Sequence, residues 1–526
     1  MQFGPESLLP PLVAIVLAIV TRKVVVPLGV GVVVGALLIA NADPEGSWWD
    51  APAVCYEAMK SSVFSKSHLQ ALAFSLLLGA MVGVLEAGGG MRCLIERLSR
   101  KVKSRRHAQT MIATSGLAIF FDDYANTLLL GGTMRSTADR YGISREKLAY
   151  LVDSTAAPVA GLSVVSTWAA IEISYMGEGL QAAGIQGSSA AFEMFIQSIP
   201  FRFYPWLALA MVFVVSITGR DFGAMRQFES ETGAAAIDTE ESLPETNNNV
   251  SEWLWLAAVL PVLVCVGCVV CVLIVTGLLN LNHNDPSWGR LRFTGEVLGK
   301  GDPYVALIVG GAVGLAVAVA GHLVLRGCNA SIALRAGLKG AHQMTPALLI
   351  LWFAWALTAM TDRLDTGGYL ASVLSDRLDL RLLPTVVFVI AGAIAFSTGT
   401  SWGTMALLTP LSISLALQLD PSGGPGGAIA LATCGSVLAG AIFGDHCSPI
   451  SDTTVLSSRA SGCNHMSHVR TQMPYAMVVA GVCVVTGTLP AAVGVSPWIS
   501  LLAGVTCIVL IVRLIGKRSR ETSAIV

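Results

Sequence analysis

Apolar runs long enough to cross a bilayer recur from one end of this 526-residue chain to the other. A helix needs about 20 such residues to span the hydrocarbon core, and only helices and closed barrels satisfy their backbone there. The runs fall at 8–21, 24–40, 69–90, 148–175, 199–218, 253–279, 303–325, 346–361, 428–450, 474–492 and 496–515, too long for barrel strands. The expected class is an all-α polytopic membrane protein with about 11–13 membrane segments. The chain is 54% apolar and 13% charged, with mean hydropathy +0.67; average soluble domains carry about 25% charged residues. This excludes a disordered chain, a collagen, a disulfide-stapled domain and an ordinary soluble enzyme. A net charge of −1 argues against nucleic acid as a partner. No basic region followed by a cleavage site opens the chain, so the first run is expected to stay as a helix. Cys265, Cys268 and Cys271 imitate a metal spacing but lie in an apolar run without His or carboxylate. They read as small thiols packed between helices.

Positive charge orients the spans, because Lys and Arg accumulate on the cytoplasmic side. Arg92, Arg97, Arg105 and Arg106 mark 91–108 as cytoplasmic, and Arg135, Arg140, Arg145 and Lys147 mark 134–147 likewise. The interrupted apolar stretch between them, 109–133, therefore enters and returns as a hairpin. Counting forward places 219–252, 326–345 (Arg326, Arg335, Lys339), 459–473 (Arg459, Arg470) and the C-terminal tail (Arg513, Lys517, Arg518) inside. A second interrupted stretch, 383–419, then starts and ends outside. The 219–252 segment, with Glu240, Glu241 and Asn247 to Asn249, is acidic and reads as a flexible linker. Trp48, Trp49, Trp253, Trp255, Trp352, Trp355 and Trp498 fit interfacial anchors.

The order of features repeats. Leu85-Glu86-Ala87-Gly88-Gly89 and Leu364-Asp365-Thr366-Gly367-Gly368 each close a span. Each is followed by an interrupted hairpin and then by a span broken at a proline, Pro158 and Pro449. The charge rule puts the two copies in opposite orientations, the inverted repeat of secondary transporters. The expected organisation is an N-terminal helix pair with a periplasmic loop (1–68), a first inverted repeat (69–218) and the acidic cytoplasmic linker (219–252). Connecting helices (253–345), a second repeat (346–492) and a final helix with a basic cytoplasmic tail (493–526) complete it.

Four segments break the apolar pattern at membrane depth: 120–127, 153–158, 396–404 and 443–454. A charged side chain there costs at least about 2.5–3.5 kcal/mol, so their Asp residues need a cation, a proton or a water-lined cavity. Carboxylates, hydroxyls and the carbonyls freed around Gly and Pro are hard oxygen donors that suit Na+. Desolvation favours the neutral form of a carboxylate, whereas Na+ favours the ionised one. One carboxylate can thus exchange the two ions by competition. Asp445 is the first choice, followed by Asp452 and Asp123. Bland alternatives stand beside this. Asp122 and Asp123 could cap a broken helix, Asp153 could start a helix at a water interface, and Ser397, Thr398, Thr400 and Ser401 could be packing hydroxyls. Glu86 and Asp365 read as interfacial; the sequence leaves the exposure of Glu172 open.

These segments resemble the NhaC-type Na+/H+ antiporter family of the wider ion-transporter superfamily. The carrying blocks are FFDDYANTLLLGGTMR (120–135), EKLAYLVDSTAAPVAGLSVVSTW (146–168), FSTGTSWGTMALLTPL (396–411) and FGDHCSPISDTTVLSS (443–458). The resemblance implies an inner-membrane protein with opposed hairpins, dimerisation and exchange of Na+ for H+, with no cofactor beyond those ions. It places the ion site at Asp122, Asp123, Asn126, Ser154, Thr155, Ser397, Thr398, Thr400, Ser401, Asp445, Ser448 and Asp452. Some similar proteins carry amino or organic acids with Na+, so a Na+-coupled carrier of a small organic substrate is the rival reading. Arg135 would then hold a substrate carboxylate, unless it is only a cytoplasmic topology charge. An enzyme built on Asp445, His446 and Ser448 is disfavoured, since helix neighbours do not face each other. No GxxxxGK[ST] loop marks a primary pump.

Overall fold

The computed structural model describes residues 4–21, 23–42, 47–99, 102–185, 188–235, 253–280, 297, 301–374 and 379–518. Among them are ten helices long and apolar enough to cross a membrane, or eleven if Ser189–Phe201 and Phe203–Thr218, bent by 43°, form one span. The protein is a multi-pass helical membrane protein. The elements that fail this length and hydropathy test include both limbs of the first hairpin and both limbs of the first broken helix, which carry two of the polar blocks.

Helices Leu9–Thr21, Val25–Ala42 and Thr345–Arg363 pack together, as do Lys66–Ala87, Leu256–Leu279 and Pro303–Val324, and Ala51–Phe64 and Ala330–Gln343 bridge the two groups. Small residues let the backbones touch. A Cβ on Gly83 would fall 2.2 Å from the Ala336 carbonyl, and one on Gly340 2.2 Å from that of Gly79. This contact corrects the sequence reading of 326–345 as a loop: Ala330–Gln343 is a helix laid along Lys66–Ala87. The 1–68 segment likewise contains a further helix, Ala51–Phe64. Cys265 is buried against Gly310 and Gly314, but Cys268 is half-buried and Cys271 exposed, so only the first is a packed thiol. Trp48, Trp49, Trp253 and Trp498 are exposed as anchors should be. Trp355 is not: it is buried, and its Nε1 donates to Ser174 Oγ at 2.9 Å.

Two hairpins and two broken helices carry the polar blocks, with Phe203–Thr218 and His465–Val482 packed against them and Pro497–Ile515 against Phe203–Thr218. The first hairpin is Arg105–Ala118 and Asp123–Arg140; the second is Leu383–Thr398 and Ser401–Leu419. The first broken helix is Arg145–Ala160 and Thr167–Ala182; the second is Ala428–Cys447 and Asp452–Ser461. Local chemistry sets the breaks. Ser104, Asp122, Ser144, Ser166 and Ser451 cap the limbs that follow them, each accepting a backbone N–H. Gly399 turns the second hairpin with φ +71°, a conformation that glycine adopts without cost. Pro449 lies in its break, as the sequence suggests. Pro158 does not: it stays inside Arg145–Ala160, and the chain unwinds at 161–166 instead. The Gly161 N–H still reaches the Ala157 carbonyl at 2.9 Å, and only after Gly161 does the ladder end.

Each hairpin rests on the first limb of the broken helix that follows it and on the second limb of the other broken helix. Two pairs of the basic segments meet at one end. Arg220–Asp221 pairs antiparallel with Lys517–Arg518, and Arg145 Nη1 donates to the Ser461 carbonyl at 3.0 Å. The linker is not wholly flexible: Gly223–Ala235 is a helix docked at that end. Its acidic part, with Glu240, Glu241 and Asn247 to Asn249, lies outside the described residues.

Candidate functional site

The first hairpin's tip and the second helix break meet. Asp122 accepts the Ala125 N–H at 2.7 Å and so caps Asp123–Arg140. Asn126 spans the turn, donating to the Gly116 carbonyl at 2.7 Å and to that of Ile119 at 3.1 Å. These bonds hold the tip together, although Asp122 Oδ2 and Asn126 Oδ1 have no hydrogen-bond partner among the described residues. Asp123 makes no such bond. It is fully buried, and neither carboxylate oxygen has a hydrogen-bond partner among the described residues. The indole N–H of Trp168, likewise without a partner, stands within electrostatic reach.

Asp445 closes the first limb of the second broken helix and is also fully buried. Its Oδ2 accepts the Thr453 hydroxyl at 2.6 Å, and its Oδ1 is unpartnered. Asp452 opens the second limb and is exposed. It accepts the Thr453 N–H at 2.9 Å and the Tyr124 hydroxyl, which ties the hairpin tip to the break. Asp452 interacts electrostatically with both Asp123 and Asp445. Three carboxylates from two distant blocks thus share one polar volume, where buried charge without compensation is unstable. Three of their oxygens, two on Asp123 and one on Asp445, are open.

The hydroxyls divide. Ser448 donates to the Phe396 carbonyl at 2.7 Å and Ser401 to the Ala441 carbonyl at 3.2 Å, fixing the second hairpin's tip against the break. The backbone N–H of Asp452 adds a bond to the Gly399 carbonyl at 3.3 Å. Thr398 and Ser397 bond back to Ile394 and Ala393 within their own helix, and Ser397 lies on its outer side. Thr400 accepts the Thr404 hydroxyl at its carbonyl, 3.0 Å away. Thr155 bonds back to the Leu151 carbonyl at 2.8 Å and abuts Gly116. Ser154 is buried beside Tyr150. The structure therefore gathers Asp123, Asp445 and Asp452, while Ser448 and Ser401 bond backbone carbonyls where the second hairpin meets the break. Ser397 and Thr155 bond within their own helices, and Ser154 lies beside Tyr150, apart from that group.

Sequence reasoning missed three buried polar clusters. Asp153 Oδ2 accepts Gln472 Nε2 at 2.6 Å, Thr454 Oγ1 at 3.2 Å and His468 Nε2 at 3.4 Å, so it does not simply start a helix at a water interface. Glu172 is buried and pairs with Arg202 at 2.7 Å. Lys147 pairs with Asp221 at 2.5 Å, and Asp221 also accepts the Tyr475 hydroxyl at 2.7 Å. A lone cation inside the apolar run 199–218 was the readable signal for the second. The others join residues far apart along the chain. Arg135 spends its donors on the carbonyls of Ala460, at 2.7 Å, and Arg459, at 2.5 Å, at the end of a helix.

Comparison with known proteins agrees with this architecture. The model of the Na+/H+ antiporter family matches residues 159–488. An uncharacterised protein of Haemophilus influenzae is 34% identical over 481 residues, 90% of this chain and 88% of its own. A malate-2H+/Na+-lactate antiporter of Bacillus subtilis matches locally, 38% identical over 93 residues, 18% of each chain. In three dimensions the YdaH transporter of Alcanivorax borkumensis superposes with TM-score 0.57 at 15% identity, covering 85% of this chain and 89% of its own. Fold and family are those of transporters, and the chain belongs to the Na+/H+ antiporter family.

Proposed function

We propose that the protein exchanges Na+ for H+ across the inner membrane, with Asp445 as the coupling carboxylate and Asp123 and Asp452 beside it. The carrying observation is the pair of fully buried carboxylates, Asp123 and Asp445, that keep open oxygens beside a third. Such oxygens are hard donors for Na+. Na+ stabilises their ionised form, and a proton neutralises them when Na+ leaves. Competition for the same atoms couples the two fluxes without a separate device. The matching packing of both hairpin–break units, each hairpin also resting on the second limb of the other unit, supports an inverted repeat and alternating access. Hairpins that enter and return, a cytoplasmic tail and assembly as a homodimer belong to the same reading.

The test is a proteoliposome assay. An imposed Na+ gradient is expected to shift internal pH in the native protein and to leave it unchanged in Asp445→Asn. Normal exchange by that variant would remove Asp445 from the coupling role. The local similarity to a malate-2H+/Na+-lactate antiporter favours a second reading, a Na+-coupled carrier of a small organic acid. Arg135 is a poor substrate anchor for it, being bound to two carbonyls. Uptake of labelled organic or amino acid without Na+-driven proton movement would select that reading.

A further inference from the structure

The two helix breaks are built alike except in charge. In both, the second limb starts on a backbone bond to the tip of its own hairpin: Thr167 N–H to the Phe121 carbonyl at 2.9 Å, and Asp452 N–H to the Gly399 carbonyl at 3.3 Å. In both, a later helix or the turn before it reaches back to the carbonyls that end the first limb. At the second break that donor is neutral: Gln472 Nε2, from the later helix His465–Val482, bonds the His446 carbonyl at 3.0 Å. At the first break it is a cation. Arg202 donates to the Gly161 carbonyl and to Ser198 Oγ at 3.1 Å, and pairs with Glu172 Oε2 at 2.7 Å. Its guanidinium is buried and lies over the Phe195 ring at 4.7 Å.

The C-terminal end of a helix carries partial negative charge and attracts cations. Half-helix ends of this kind, together with unwound carbonyls, coordinate Na+ in transporters. At the first break a side chain already provides that positive charge, and Glu172 neutralises it from the second limb. We infer that Arg202 stands in for a transported cation at the first break, so that the second break alone takes Na+. This rests on the Na+/H+ reading and deepens it, by assigning one cation place per chain and a role to a residue outside the carboxylate cluster. Arg202 is a positioning residue: it touches neither Asp445 nor Asp123, and it holds Gly161, Ser198 and Glu172 in one arrangement.

Removing the guanidinium exposes the Glu172 carboxylate, the Gly161 carbonyl and the Ser198 hydroxyl, a set of hard oxygen donors. The test counts radiolabelled Na+ bound at saturation to the purified full chain in nanodiscs. One ion per chain is expected in the native protein and two in Arg202→Ala. The double variant Glu172→Gln/Arg202→Ala is expected to return to one, which a merely structural role for Arg202 does not predict. Two ions in the native protein, or one in Arg202→Ala, would overturn the inference. Should Arg202→Ala not fold, the native count decides alone. No Na+ bound to the native protein would sink the exchange reading as well, whereas two would sink only this one.

Discussion

Asp123 shows how a single residue reveals its role through what it lacks. A buried carboxylate kept for structure is held by donors, as Asp153 is by Gln472, Thr454 and His468. Asp123 has none, so substitution by the isosteric Asn breaks no bond within the described residues. Asp123→Asn is therefore expected to lose Na+-driven proton movement while sacrificing no more than about 1 kcal/mol of stability. Thermal unfolding in detergent beside the proteoliposome assay checks both halves. A large drop in melting temperature with transport retained would mark Asp123 as a structural group. Asp123 and Asp445 were readable from sequence because ionisable groups stand out in apolar runs. The open valences on them were not, because satisfaction depends on neighbours from other blocks.

At the scale of elements, close backbone approach decides what the breaks tolerate. Gly399 sits at φ +71°, and a Cβ there would fall 2.5 Å from the Ile450 carbonyl, inside the second break. Gly399→Ala adds a left-handed backbone penalty of about 1–2 kcal/mol and pushes the hairpin tip off the break. We expect transport to be lost and the melting temperature to fall. Gly132, within Asp123–Arg140, has open space for 4 Å around the place a Cβ would take, and its φ lies outside the left-handed region. Gly132→Ala is expected to keep transport and to gain up to about 1 kcal/mol from helix propensity. Equal behaviour of the two variants in a melting and transport comparison would contradict the packing. Pro158 and Pro449 hold corresponding places in the order of features read from the sequence, yet only the second marks its break. Proline removes one donor, and whether the helix continues depends on what receives the freed carbonyls.

For the whole molecule, the linker helix ties the two halves at the basic end. Glu229 is buried there, paired with Arg105 at 2.5 Å and accepting the Ser144 N–H at 2.7 Å. Burial pushes its carboxyl above the usual range, and Arg105 offsets this only in part. A carboxyl whose affinity for protons is raised on docking favours the docked state at low pH. That contribution is complete below the ordinary Glu range and is lost as pH rises through the raised value. Hydrogen exchange in 223–235 is therefore expected to quicken as pH rises, after correction for intrinsic rates. Glu229→Gln should flatten that dependence; an unchanged profile in the variant would exclude Glu229 as its source.

The sequence by itself determined the class and the polar blocks. Apolar runs of spanning length have few other solutions in a bilayer, and ionisable groups within them are conspicuous. Charge in the loops also implied which ends lie together, and Arg220–Asp221 beside Lys517–Arg518 agrees. Only the tertiary structure decided which carboxylates meet and which are held. It set Asp123 and Asp445 beside Asp452 with open oxygens, gave Asp153 three donors, and closed Arg202 onto Glu172 and Gly161. The physical reason is distance along the chain. Hydropathy is a local property of a segment, whereas satisfaction of a buried charge is settled by partners that only folding brings within about 3 Å.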